Sequence, residues 1–422
     1  MFAYMALSLL ACSVALAALK PLPRIAPKPA KPVAKFVNSE TGEVFSPVGV
    51  NYVRLDWVDQ TPYHTTMNAA LYDPIRTDRD FREIAASGYN IIRVFLDHGD
   101  PVHQAMKQYG MAGPILHNTE DLYPPALDAF IDLLRLANKH SLYVIVDAEY
   151  VPTNKYYTDM SVDYTDETIG RYNWMYLSEK YIRAKALYFK KLVEAVKTAE
   201  PGGGLLSTVF SWELQNEVAI HGNFAPFNQT SGTVTTGDGK TYDMADEEQR
   251  QRCWDSNVYN WANSICDTIR SVDPDAMISA SVFCYQLVGK EGPNGLSGHY
   301  ADHRYPASLQ AIVVSKLSFV DIHTYDTTMQ QRYDLESSLN SSGFDKLDKT
   351  IKPFLMGEYG TFKDKYENVE NAKAAMLTHR DEMERLGFAG HLFWTWDTHS
   401  QKRIWDLTEE GGVLLEALKP SM

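Results

Sequence analysis

The chain is poor in cysteine, carries no excess of positive charge and, beyond its first 19 residues, has no apolar run long enough to cross a bilayer. There are four cysteines in 422 residues, and Cys12 falls in the leader, which leaves Cys253, Cys266 and Cys284, an odd number that argues against a disulfide framework. Cys253 and Cys266 fall on one expected helix, too far apart to bond. A 253–284 bridge and three buried thiols are both open. With 40 Lys and Arg against 54 Asp and Glu, the formal charge of −14 excludes the basic footprint of a nucleic-acid or anionic-membrane binder. C-x-x-C, H-E-x-x-H, the P-loop and the dinucleotide glycine fingerprint are all absent, so no metal or other cofactor is expected. His299 and His303, one helical turn apart in an expected loop, form the only His pair at metal-like spacing. After residue 35 there is no Pro/Gly/Ser linker, low-complexity tract or internal repeat, and nothing implies an obligate protein partner.

What is present is the composition of an ordinary globular protein, 45% hydrophobic and 12% aromatic. Residues 1–19 are uncharged and end in small residues, as a secretory signal peptide does; an uncleaved membrane anchor and a lipid on Cys12 are the alternatives. The expected location is extracellular. Residues 20–35 hold five basic residues and five prolines, which predicts a solvated linker, and 36–422 reads as one catalytic domain.

From residue 46 onward, β-branched and aromatic runs alternate with segments of helical period. The strands expected are 48–55, 90–96, 142–148, 208–215, 277–283, 317–325, 353–360 and 391–396. Helices are expected from Asp73-Pro74, where a capping residue precedes Pro, and over 124–140, 178–200 and 247–272. Eight strand-helix units in series predict an α/β fold of the (β/α)8 TIM-barrel type. The long stretches 97–123, 149–177, 218–246 and 285–305 each follow a strand. They therefore belong to the face where barrel enzymes keep their sites.

Two carboxylates arrive on that face. Asn216-Glu217 ends the fourth strand and Glu358, in Leu-Met-Gly-Glu-Tyr-Gly, ends the seventh. Either alone fits a structural ion pair at the rim; together, at the mouths of two apolar strands, they point to acid-base or nucleophilic chemistry. With Arg93 in the second strand, His323-Thr-Tyr325 in the sixth and Trp394 in the eighth, the chain resembles the clan A glycoside hydrolases, and most closely family 5. The resemblance runs from about residue 46 to about 400. It implies a retaining double displacement with Glu217 as acid/base, its pKa raised by partial burial, and Glu358 as nucleophile, kept ionised by Arg93. It also implies substrate-binding or supporting roles for Asn216 at the sugar 2-hydroxyl, His323, Tyr325 and Trp394.

The third strand ends Asp147-Ala-Glu149-Tyr150, where many family 5 cellulases carry His, and Trp212-Glu-Leu-Gln-Asn-Glu217 is similar to the fourth strand of the family's β-mannanases. The expectation is a secreted endo-β-1,4-mannanase acting on a β-linked oligo- or polysaccharide. An endo-β-glucanase, an exo-β-glycosidase and a non-catalytic carbohydrate-binding barrel are the alternatives. Tyr150, Tyr156, Tyr157, Tyr164, Tyr172, Trp174 and Tyr176 crowd the loop after the third strand, either to stack on sugar rings or to fasten the loop.

Overall fold

The computed structural model describes residues 19–58, 61–96, 109–114, 116–162, 167–170, 172–298, 300–326 and 334–420. The leader up to residue 18, Tyr164 and His299 lie outside the described residues. The strands are β1 (Val48–Asn51), β2 (Ile91–Phe95), β3 (Tyr143–Asp147), β4 (Val209–Glu213), β5 (Ile278–Ser279 and Ser281–Phe283), β6 (Val320–Tyr325), β7 (Phe354–Gly360) and β8 (Gly390–Phe393). All their pairings are parallel. Strand β5 is interrupted at Ala280. Its first half pairs with β4 (Ile278 with Trp212) and its second with β6 (Ser281 with Asp321), and this break closes the barrel.

Helices α1 (Pro74–Ala86), α2 (Pro124–Lys139), α3 (Glu179–Ala199), α4 (Glu247–Val272), α5 (Leu309–Val314), α6 (Leu335–Ser341), α7 (Val369–Leu386) and α8 (Val413–Leu418) follow the strands in turn. Asp73 caps α1 by accepting from the amides of Ile75 and Arg76 at 3.0 and 3.1 Å, and Pro74 sits where the helix needs no donor. Among the described residues no helix is long and apolar enough to cross a membrane.

Strands β2, β3, β4 and β7 are buried at every residue, which explains why they are mostly apolar, without a polar residue at every second position. Inside the barrel the lower half is apolar, with Ile91, Ile145, Phe210, Phe319, Leu355 and Leu392 in one cluster. That cluster also takes in Ile25 and Phe36, from the segment before the barrel.

Residues 20–35, expected as a solvated linker, are thus part of the fold. Ile25–Lys28, Lys35–Asn38 and Val44–Phe45 form a three-stranded antiparallel sheet under the barrel. Phe36, wholly buried, meets Phe210 and Phe319 edge-on at 5.2 Å. The Tyr143 hydroxyl donates to the Pro23 carbonyl at 2.6 Å, and Arg24 pairs with Asp273 at 3.0 Å. The barrel floor needs an apolar cover, and Pro27 is tolerated because its strand is an edge that owes no donor on one side. Cys253, Cys266 and Cys284 are free, buried thiols, so the 253–284 bridge does not form; burial pushes the three up to about 12, 12 and 11.

On the upper face, Ala219–His221 after β4 pairs antiparallel with Arg304–Pro306 after β5. Buried Asn173, from the β3 loop, holds the β4 loop. Its amide nitrogen lies 3.0–3.3 Å from the carbonyls of His221, Phe224 and Ala225, and its oxygen accepts from the His221 amide at 2.9 Å. Most aromatics of the β3 loop fasten it: Tyr157 donates to the Glu120 carbonyl at 2.8 Å, and Tyr176 packs on Trp254 and Trp261. Among the described residues Tyr172, stacked on His221 at 4.9 Å, is the exposed one.

Replacing Phe36 with Ala opens a cavity between the floor and its cover. The expected loss is about 3–5 kcal/mol of unfolding free energy, read by chemical denaturation. A change within experimental error would show that the cover is dispensable.

Candidate active site

Alternation along β6 points Asp321, His323 and Tyr325 into the barrel, and the other expected site residues converge on them from β2, the ends of β4 and β8, and β7. Arg93 is the hub. Fully buried, it spends its fork on Glu213 (2.5 and 2.9 Å), Glu358 (2.5 Å), Asn51 (3.0 Å) and Asn216 (2.9 Å), with Asp147 at 3.5 Å. A guanidinium out of water is tolerated only when its donors are met in this way.

Glu358 is held at both oxygens, one by Arg93 and the other by the Tyr325 hydroxyl at 2.6 Å. Burial and the Glu358 charge keep that phenol well above its ordinary range, so it remains a donor. Imidazole Nδ1 of His323 lies 3.4 Å from Glu217 and 3.4 Å from Glu358, and one oxygen of each carboxylate falls within 4.8 Å of the other. Trp394 packs edge-on to Phe95 at 5.9 Å and donates from its indole to Gln401 at 2.8 Å. Six of the seven expected residues therefore meet around Arg93 and His323, and Trp394 joins them through the apolar cluster it forms with Phe95, against which Tyr325 packs.

Glu217 has φ +53°, a left-handed conformation that a non-glycine residue adopts at a cost, and its amide donates to Ser281 Oγ at 2.9 Å. Its ionisation differs from the sequence expectation of a raised pKa. Burial does push it up, but the side chain is 27% exposed, and the His323 hydrogen bond and charge, with Arg304 at 4.0 Å and Arg93, bring the net shift below the usual value. For His323 the signs reverse: burial would lower it, but the Glu358 charge and the Glu217 hydrogen bond raise it.

Beneath these groups lie carboxyls the sequence reading did not select as site residues. Glu213 is claimed by Arg93; Asp147 and Asp321 are pushed up by burial and by the Glu213 charge, Asp321 to about 7. At the rim, burial raises Glu149 to about 7, and Gln215 donates to it at 3.3 Å. Strand alternation from His323 would have found Asp321. Arg304 carried no signal, because it reaches Glu217 from a long loop. Two groupings with metal-like spacing, Glu213–Asp321–His323 and Glu217–His323–Glu358, already have Arg93 bound to one of their carboxylates. In the third, His399–Asp406–Glu409, Asp406 binds His399 and Glu409 binds Lys363, both at 2.6 Å.

A model of the cellulase family, glycosyl hydrolase family 5, matches residues 57–400. Mannan endo-1,4-beta-mannosidase A of Podospora anserina is 26% identical over 163 residues, covering 37% of this chain. The match spans about two fifths, 39%, of that curated relative's length. The fold is similar to an endo-1,4-beta-mannanase from Rhizomucor miehei, with TM-score 0.58 and 13% identity over 93% of this chain and 97% of that one. It is also similar to an exo-beta-1,4-mannosidase from Opitutaceae bacterium strain TAV5, with TM-score 0.51 and 15% identity over 85% and 53%.

Arg93→Met would strand Glu213 and Glu358 without their cation. The expected cost is about 3–5 kcal/mol of stability, measured by denaturant unfolding. Wild-type stability would show that the charges do not depend on Arg93.

Proposed function

Because the chain belongs to glycosyl hydrolase family 5, we propose that it is a secreted retaining hydrolase that cuts within β-1,4-mannan. The observation that carries the mechanism is the approach of Glu217 and Glu358 to within 4.8 Å. That approach of their nearest oxygens is in keeping with direct attack by one carboxylate, the two groups being about 5–5.5 Å apart in retaining enzymes.

Glu358, oriented by Arg93 and Tyr325, attacks the anomeric carbon. The bond to the leaving oxygen breaks as Glu217 gives that oxygen its proton, and a water activated by Glu217 later cleaves the glycosyl ester. In the free enzyme Glu217 favours its ionised form. A bound sugar completes its burial, the largest of the influences on it and one that raises its proton affinity, so the acid is formed in the complex.

Arg304, held by Asp302 at 2.7 Å, flanks Glu217 and so marks the leaving-group side. Asp302 also lines a pocket of about 440 Å³ between Phe227, Tyr300 and Tyr305, which we assign to sugars beyond the scissile bond. This supports cutting within a polymer. Mannan is supported by Trp212-Glu-Leu-Gln-Asn-Glu217, by the absence of a His from the end of β3, and by the activity named for the Podospora relative. Export is supported by the uncharged residues 1–19.

Glu358→Ala is expected to abolish hydrolysis, and azide to restore turnover with a glycosyl azide of inverted configuration, identified by NMR. Near wild-type activity would remove Glu358 from the nucleophile's role. Glu217→Ala is expected to slow polysaccharide cleavage by about 10²–10⁴ and to spare activated aryl glycosides, whose leaving groups need little protonation. Equal loss on both would remove it from the acid's role. Against mannan, mixed-linkage glucan and cellulose, viscosity should fall fastest on mannan. Release of monosaccharide alone would overturn the endo reading, and cleavage of glucan without mannan the substrate.

A further inference from the structure

Below the catalytic carboxylates, the barrel interior holds a carboxyl that the displacement does not use. Asp321 sits two residues before His323 on β6, so both side chains point inward, one layer apart. Both Asp321 oxygens and His323 Nε2 are fully buried, and none has a hydrogen-bond partner among the described residues. The two approach each other at Oδ1 and Nε2, 3.9 Å apart, too long for a hydrogen bond but short for a charge interaction. Gly357, the residue before Glu358, makes this possible: a β-carbon there would fall 2.1 Å from Asp321 Oδ1. The absence of a side chain beside the nucleophile is thus the space the Asp321 carboxyl occupies.

We infer that Asp321 is a positioning residue: it supports the protonated form of His323 while negative charge moves from Glu358 to Glu217. The inference rests on the glycosidase reading for its catalytic consequence. As the first step proceeds, Glu358 becomes a neutral ester when its oxygen bonds the anomeric carbon, and Glu217 becomes an anion when its proton leaves with the departing oxygen. Nδ1, 3.4 Å from each, faces one negative charge before the step and one after it. A cationic imidazole therefore needs no reorganisation, provided that it stays cationic.

The charged and titratable groups around it are Glu213 and Glu217 from β4 and the turn after it, Glu358 from β7, Arg93 from β2, and Asp321 and Tyr325 from its own strand. Arg93 opposes the cation, and Glu213 is already spent on Arg93. Asp321 is the group whose charge remains free to change. Held up to about 7 by burial and Glu213, it ionises as the pH passes through neutrality, and the new anion at 3.9 Å raises the affinity of His323 for its proton. The alkaline limb of activity is extended as a result.

The test uses the full chain and two readings, the side-chain nitrogen NMR titration of His323, assigned with His323→Gln, and the pH profile of kcat/KM on mannan. Asp321→Asn keeps the shape but cannot acquire charge. The expected result is a His323 midpoint lowered by about one pH unit, with the alkaline limb moved down by the same amount and the acid limb in place. Gly357→Ala, which displaces the Asp321 carboxyl, should shift the midpoint the same way. In the wild type the His323 titration should show a second inflection near neutrality as Asp321 ionises, a reading that needs no variant to fold. An unmoved midpoint in folded Asp321→Asn, or a wild-type curve with a single inflection, would overturn the inference. The NMR midpoints need no turnover, so a chain inactive on every glycan whose midpoints still shift would fail the glycosidase reading and leave the charge coupling standing.

Discussion

A single guanidinium, taken out of water, organises the upper half of this barrel. Arg93 leaves β2 and bonds Asn51 of β1, Glu213 of β4, Asn216 after it and Glu358 of β7, with Asp147 of β3 beside it. Barrel closure and placement of the proposed nucleophile are thus one interaction. Such an ion is costly to bury, and its neighbours show how the cost is met, with carboxylates on its fork and amide oxygens on the donors that remain.

The same constraint explains why the barrel divides into two chemistries. The lower half is filled with apolar and aromatic side chains and sealed by Ile25 and Phe36 from a separate small sheet. The upper half concentrates Asp147, Glu213, Asp321 and Glu358 around one cation, and burial with the Glu213 charge makes Asp147 and Asp321 hold their protons more tightly. An environment that favours the neutral form of Asp321 and the ionised form of Glu217 in one site is the kind that sets acid-base roles apart.

The alternation of strands and helices was legible because most barrel-strand residues are β-branched, aromatic or otherwise apolar and the long helices begin at recognisable caps such as Asp73-Pro74. Glu217 and Glu358 were legible because a carboxylate at the end of an apolar run is conspicuous. The covering sheet was not, because prolines and lysines at 20–35 carry the signature of a solvated spacer while Ile25 and Phe36 do the packing. The ionisation of Glu217 was also hidden, since it is set by burial against the hydrogen bond and charge of His323, with Arg304 adding to them from a distant loop, and only the folded rim fixes that balance. Asp321 sat in plain view in Val-Asp-Ile-His-Thr-Tyr, but its meaning depends on the empty space at Gly357.

Asn173 has a consequence for how this scaffold can diverge. One buried amide, donating to carbonyls of the β4 loop and accepting from the His221 amide, welds two loops that are separate in sequence. A loop grafted from another barrel onto either position would leave that amide, or the carbonyls facing it, stranded in the interior. The two loops must therefore be exchanged as one module, and a change of glycan preference on this face is a paired event rather than a drift of single residues.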